Sequence, residues 1–455
     1  MGAHSTFDRD GYRAHLAAVS TIWDDAMQTA GADAVIVPAG ANRLYFQDDQ
    51  APPFRPNPHF AHWVPDANCE HSVLLYARGS TPKLFFYKPV DYWHLPPDVP
   101  AFLDGEFELE VHADLDALTA SVVSTAARSN HVAYIGEADQ LDHNLPLAAI
   151  NPAPLVNRLQ YARAYKTPFE ADNMRRATDI GVAGHIAARS AFFAGASEFE
   201  IHMAYLRASR QVEADLPYQS IVALNEHAGV LHYQHYRRDV PAVTRSLLID
   251  AGGRHLGYAS DITRTYSAGD DEFAELIAAL DAAQQALTAD IRPGISYVDL
   301  HERMHHDIGG LLAQFDFVSC GAEEAFDAGI TDAFFPHGLG HLLGLQTHDV
   351  GGQFAGEDGH LSAPPERYPA LRLTRNVEPD QIFTIEPGLY FIPMLLEPWR
   401  DDARLNWAKI ETYLACGGIR IEDNIRVTTG GFENLTRDAF DRAGDELAGG
   451  ELADT

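Results

Sequence analysis

The chain has 455 residues, 46% of them apolar and 10% aromatic, more than one hydrophobic core usually supports, so two domains are expected. Lys and Arg number 33 against 65 Asp and Glu, and the formal charge of -32 repels nucleic-acid phosphates and anionic membrane surfaces, which excludes both as expected partners. Cys69, Cys320 and Cys416 are odd in number, far apart and without metal-ligand spacing; with no apolar signal core and no long uncharged run, they point to a soluble, cytoplasmic protein with free thiols.

Gly2 and Thr6 fit a short myristoylation pattern, but no polybasic patch follows, and the match is read as chance. DAVIVP, HSVLLYA and KLFFYKP then read as strands and a helix starts at Asp114, so residues 1–160 are expected to form a mixed α/β domain. Residues 45–65, YFQDDQAPPFRPNPHFAHWVP, are too rich in proline and aromatics for helix or strand and are expected as a surface loop. A boundary falls at Tyr165–Pro168, where Thr167 can cap a helix, Pro168 suits its first turn and Glu170 completes a capping box. The second domain is expected over 166–442, with another capping box from Ser197 to Glu200. Residues 443–455 read as a disordered acidic tail.

Within the second domain SLLID runs apolar up to Asp250, AGGRHLGYAS turns the chain, and Asp261 to Tyr266 reads as the returning strand. A carboxylate such as Asp261 among β-branched residues needs a partner, either a cation or the nearby Arg264. FFPHGLGHLLGLQTHDVGG gathers His337, His341 and His348 among glycines that let backbone approach a bound group, although histidines can also simply pack or cap. Gly338 and Gly340 argue against a zinc helix, and the glutamate of that motif is missing. Glu386 ends the apolar strand QIFTIE, sharing a face with Ile382 and Thr384. In GGIRIEDNIRVT, read as one strand, Arg420, Glu422 and Asn424 form a polar row backed by Ile419, Ile421 and Ile425, which suggests a lined cavity or a salt bridge from Glu422 to Arg420. Four carboxylates and one histidine would repel strongly on convergence unless two divalent cations cancelled the charge. Five ligands cannot fill two separate coordination spheres, so carboxylates must bridge and the metals lie within about 4 Å. Oxygen-rich ligation with one imidazole favours Mn²⁺, with Co²⁺ and Zn²⁺ as alternatives.

LIDAGGRHLGYASDITRTY, FFPHGLGHLLG, FTIEPGLYFI and GIRIEDNIRVT resemble, in order and spacing, the motifs of the pita-bread metallopeptidases, the family of methionine aminopeptidase, aminopeptidase P and prolidase. LPYQSIVALNEHAGVLHYQ, KPVDYWHLPP and ENLTRD are similar to its bacterial prolidase branch, which also contains the organophosphorus acid anhydrolases. The resemblance implies an α+β chain with a pita-bread catalytic domain that cuts Xaa-Pro dipeptides with hydroxide held between two metals. It implies that Asp250 chelates one metal, Asp261 and Glu422 bridge, and His341 with Glu386 hold the second. His348 and His232 would lie beside the scissile bond, Glu386 would shuttle the proton, His337, Arg372 and Tyr218 would line the pocket, and Arg420 would orient Glu422. Arg375 and Arg367 compete with Arg372 for the substrate carboxylate. It further implies a homodimer in which a first-domain loop, here the segment with Asp48, Asp49 and Trp63, closes the neighbour's pocket. The rival expectations are an aminopeptidase P, an organophosphorus hydrolase as side activity, and a non-catalytic binding protein. Thr347, where a valine is usual, and IPMLLEPWR depart from the family pattern and bear on pocket shape.

Overall fold

Tyr12, Leu16, Val19, Trp23 and Met27 recur at three- and four-residue spacing and become the buried stripe of α1 (Arg9–Ala30), capped by Asp8. The computed structural model describes residues 7–140, 142 and 144–450; the Gly2 and Thr6 pattern and residues 451–455 of the expected tail lie outside them. The chain divides into two compact units, Met1–Asp172 with Ala355–His360, and Asn173–Phe354 with Leu361–Thr455. Both mix helices and strands, in keeping with the expected α+β class.

The first unit is built on β1 (Ala34–Pro38), β2 (Val73–Ala77), β3 (Lys83–Tyr87), β4 (Glu108–His112), β5 (Val132–Tyr134) and β6 (Leu147–Ile150), in the order β4-β3-β2-β1-β5-β6. The β1–β2 and β2–β3 pairs are antiparallel and the others parallel. Ile36, Leu75 and Phe85 pack in one cluster with Leu118 and Val122 of the helix Leu115–Ala126, which Asp114 caps as expected. Residues 45–56 form the expected, largely exposed loop, but 57–65 depart from it. Asn57 caps a short helix, Pro58–Ala61, and Phe60, Trp63 and Val64 are buried. Trp63 lies 5.5 Å from the Trp23 ring and 4.8 Å from Tyr76, so it is a core residue and not part of a pocket-closing loop. Burying three large apolar side chains outweighs the irregular backbone that proline imposes. Asp48 and Asp49 remain exposed.

The capping box at Thr167 forms: its N–H donates to Glu170 Oε2 at 2.9 Å, and the Glu170 N–H donates to Thr167 Oγ1 at 3.3 Å, opening the helix Pro168–Phe193. In the second unit β7 (Ile221–Leu224), β8 (Ser246–Asp250) and, after the small hairpin β9 (Arg254–His255) and β10 (Tyr258–Ala259), β11 (Thr263–Ser267) form an antiparallel sheet in the order β11-β8-β7. Leu247 and Ile249 of β8 pack outward on Phe192 and on Ile201 and Tyr205 of the helix Glu198–Ser209, while Leu248 packs with Tyr390 on the other face. The pleat therefore gives Asp250 the same face as Leu248.

The remaining strands are β12 (Ile382–Ile385), β13 (Gly388–Tyr390), β14 (Gly418–Arg420), β15 (Asp423–Thr428) and β16 (Gly431–Asn434), paired β12-β15-β16 and β13-β14. GGIRIEDNIRVT is thus two strands in two sheets, not one. The break falls at Ile421 and Glu422, because the Glu422 N–H turns to Thr263 O at 3.0 Å and bridges to β11. The final helix, Leu435–Gly450, runs into the stretch expected as a tail.

Candidate metal and substrate site

Asp250 ends β8, and its ladder partners are Thr263 on β11 and Ile221 on β7. Asp261 sits two residues ahead of β11 and not on it. Its N–H donates to Asn424 Oδ1 at 3.0 Å, while Asn424 Nδ2 donates to its carbonyl, so one side chain replaces a strand partner. Arg264 does not pair with Asp261: it binds Asp423 Oδ1 at 2.6 Å, away from the cluster. Residues 339–343 run beside β12, with Thr384 N–H on His341 O at 3.0 Å and Glu386 N–H on Leu339 O at 2.8 Å. That segment is extended, as Gly338 and Gly340 suggested. A Cβ at Gly340 would strike Thr384 O and the Tyr297 hydroxyl, so glycine is needed for this close approach.

These elements bring the predicted ligands together. His341 Nε2 lies 3.5 Å from both Asp261 Oδ2 and Glu386 Oε1. Ligand atoms of Asp261, His341 and Glu422 lie within 4.8 Å of one another, and all three residues are buried. His341 Nδ1 donates to Leu342 O at 3.0 Å, which turns Nε2 toward the carboxylates; it is the nitrogen a cation would take in place of its proton. Thr263 Oγ1 donates to Glu422 Oε2 at 2.7 Å. Burial, reinforced by Asp250, raises the Asp261 carboxyl above its ordinary value despite the hydrogen bond from His341. Burial and then Asp261 and Glu386 push Glu422 well up. Burial also lifts Glu386 to about 7 against the pull of His341. Mutual repulsion among buried carboxylates is relieved by cations, so the donor set and its charge both fit two divalent metals.

Arg420 is buried among these acids. Its Nη2 donates to Asp250 Oδ2 at 2.7 Å, Nη1 to the Tyr390 hydroxyl at 2.9 Å and Nε to Thr263 Oγ1 at 3.2 Å. The expected orientation of Glu422 by Arg420 therefore runs through Thr263, and the residue it grips directly is Asp250. Tyr218 donates to Asp250 Oδ1 at 2.7 Å. His337 donates from Nδ1 to Gly338 O and accepts at Nε2 from the Tyr390 hydroxyl, both at 2.9 Å, so it is neutral. Burial and Arg420 hold its pKa at about 3. His348 is exposed, with its ring 4.4 Å from His341. Partial desolvation of the ring where it packs beside His341, together with the charges of His341 and Arg372, lowers its pKa to about 3. His232 is exposed and close enough to disfavour protonation of His337 and His348.

The three arginines separate clearly. Arg367 binds both oxygens of Asp332, and Arg375 binds Glu378 and Gly351 O. Arg372 is exposed and, among the described residues, its guanidinium has no ion pair or hydrogen bond. Tyr390, Thr263, Thr384 and Asn424, which fix this cluster, were not singled out from sequence as site residues; polar side chains on otherwise apolar strands were the available signal.

A second group of metal-capable residues, His15, His62 and Glu170, lies in the first unit. Its donors are already committed: His15 donates from Nε2 to His62 O at 2.8 Å and pairs Nδ1 with Thr167 Oγ1 at 2.9 Å, while Glu170 caps a helix. This is a hydrogen-bonded core group. All three cysteines are free, and among the described residues no helix is long and apolar enough to cross a membrane.

Residues 172–429 match the model of metallopeptidase family M24, and residues 10–161 match that of the Xaa-Pro dipeptidase N-terminal domain. The Xaa-Pro dipeptidase 2 of Idiomarina loihiensis is 43% identical over 442 residues, 96% of this chain and 99% of that protein. The Xaa-Pro dipeptidase of Pseudoalteromonas haloplanktis is 44% identical over 431 residues, covering 94% and 97%. The zinc-substituted Escherichia coli aminopeptidase P in complex with product superposes with a TM-score of 0.73 at 22% identity over 96% of each chain, which shows the shared pita-bread fold alone.

Proposed function

The chain belongs to metallopeptidase family M24, and from that premise we propose that it hydrolyses the Xaa-Pro bond of dipeptides ending in proline. The observation that carries the reading is the convergence of Asp250, Asp261, His341, Glu386 and Glu422, with Nε2 of His341 turned toward the acids. Asp250 would hold one cation, His341 and Glu386 the other, and Asp261 and Glu422 would serve both. Two divalent cations there would polarise the scissile carbonyl and make water a nucleophile near neutral pH. Manganese is the ion the oxygen-rich set favours.

The bond before proline is a tertiary amide whose nitrogen leaves only after protonation. Glu386, at 16% exposure the most accessible acid of the cluster, takes the water proton and returns it to that nitrogen. His348 and His232 donate toward the charge developing on the carbonyl oxygen. His337, held neutral by Gly338 and Tyr390, lines the pocket with Tyr218. Arg372, the one of the three candidate arginines without an internal partner among the described residues, grips the terminal carboxylate. A cytoplasmic homodimer completes the reading. Dialysis against chelator should abolish Ala-Pro hydrolysis, and Mn²⁺ should restore it at about two ions per chain. Full activity in metal-free protein would refute it.

A further inference from the structure

Glu198 follows the Ser197 cap, but the capping box is completed by Glu200, so its own carboxylate is left for another task. That side chain is 2% exposed and accepts four hydrogen bonds. The donors are the Leu224 N–H at 3.0 Å, the Arg237 N–H at 2.8 Å, the Tyr233 hydroxyl at 2.8 Å and His227 Nδ1 at 2.6 Å. Two lie at the ends of segment 224–237 and two within it. The His227 ring also stacks on Tyr233, with centroids 4.5 Å apart. Asn225 makes a second clamp, accepting from Arg245 N–H at 2.7 Å and donating to Val243 O at 2.6 Å.

The segment so tied carries His232. Among the described residues the His232 side chain has no hydrogen-bond partner of its own, so its position follows from the backbone, and the next residue is Tyr233. A buried carboxylate is expensive to desolvate, and a loop held only for stability could use apolar contacts. One carboxylate that gathers four donors fixes the segment in a single geometry, which a group acting on a transition state requires. We propose that Glu198 is a positioning residue for His232, holding the 224–237 segment so that the imidazole reaches the scissile bond. This rests on the role read for His232 above.

The test is a double-mutant cycle on full-length, manganese-loaded protein with Ala-Pro as substrate. Glu198→Gln keeps the shape but sets an NH₂ against groups that donate, and should lower kcat by about 10-fold or more, with KM moving less than about threefold. In the His232→Ala background the same change should cost less than about twofold, because the group it positions is gone. Tyr233→Phe, which deletes one donor and keeps the ring, serves in the same cycle if Glu198→Gln does not fold, with a loss of about threefold or more confined to the His232 background. Equal losses in both backgrounds, with His232→Ala itself impaired, would overturn this inference and leave the role of His232 standing. A fully active His232→Ala protein would overturn that role and this inference together, while Ala-Pro turnover would still support the dipeptidase reading.

Discussion

Replacing Glu386 by Gln in the metal-free protein is expected to raise its melting temperature at pH 8 and leave it nearly unchanged at pH 5. Burial lifts this carboxyl from its ordinary 4.5 to about 7, against His341 and with Asp261 adding to the rise. A folded-state pKa above the unfolded one means that the stability conferred by the neutral carboxyl is fully present below about 4.5 and is lost as pH rises through about 7. At pH 8 the charged form then costs on the order of 3 kcal/mol, or roughly 5 °C for a unit of this size. Glutamine keeps the shape and never ionises, so it escapes that cost. With Mn²⁺ bound the order reverses, because the wild-type carboxylate faces cations and the amide is a poor substitute ligand. Scanning calorimetry on chelated and manganese-loaded wild type and Glu386→Gln at both pH values gives the comparison. Identical metal-free melting temperatures at pH 8, or a more stable wild type there, would refute the repulsive-cluster argument.

Two further outcomes follow from the same geometry. Asp423 is fully buried and takes Arg264 at 2.6 Å and Arg437 at 2.7 Å; burial would raise its carboxyl, but the two guanidiniums hold it at about 2. Asp423→Asn should therefore cost about 3–5 kcal/mol in urea unfolding at pH 7, and the wild-type advantage should persist above pH 4 and fade as pH drops toward 2. His341→Ala should lose metal, whereas His348→Ala should keep both ions and slow turnover about 100-fold; elemental analysis beside kinetics separates the two roles.

Of the proposed ligands, Asp250 and Glu386 were legible because each is a charge at the end of an apolar strand, where its burial needs a counter-charge, and because the turns after them are written in glycine and proline. The competing salt bridge from Arg264 could not be settled in sequence. Its true partner, Asp423, lies 159 positions away, one residue beyond Glu422 and facing the opposite side of the break. Arg420 was read toward Glu422 for the same reason: a sequence offers near neighbours, while its direct partner Asp250 comes from 170 positions upstream. Trp63 was misread because prolines mask how far the burial of an aromatic can order an irregular segment. Glu198 looked like part of a capping run, and its four donors come from a loop 26 to 39 residues later.

The most direct measurement is kcat/KM for Ala-Pro and Ala-Pro-Ala in metal-loaded wild type and Arg372→Ala. A guanidinium that binds the carboxylate of a C-terminal proline loses its partner when a third residue displaces that carboxylate. The account expects a clear preference for Ala-Pro, and a loss on the order of 2–4 kcal/mol in transition-state binding from Arg372→Ala that is confined to the dipeptide. Preference for the tripeptide in wild type, or equal losses on both substrates, would contradict it.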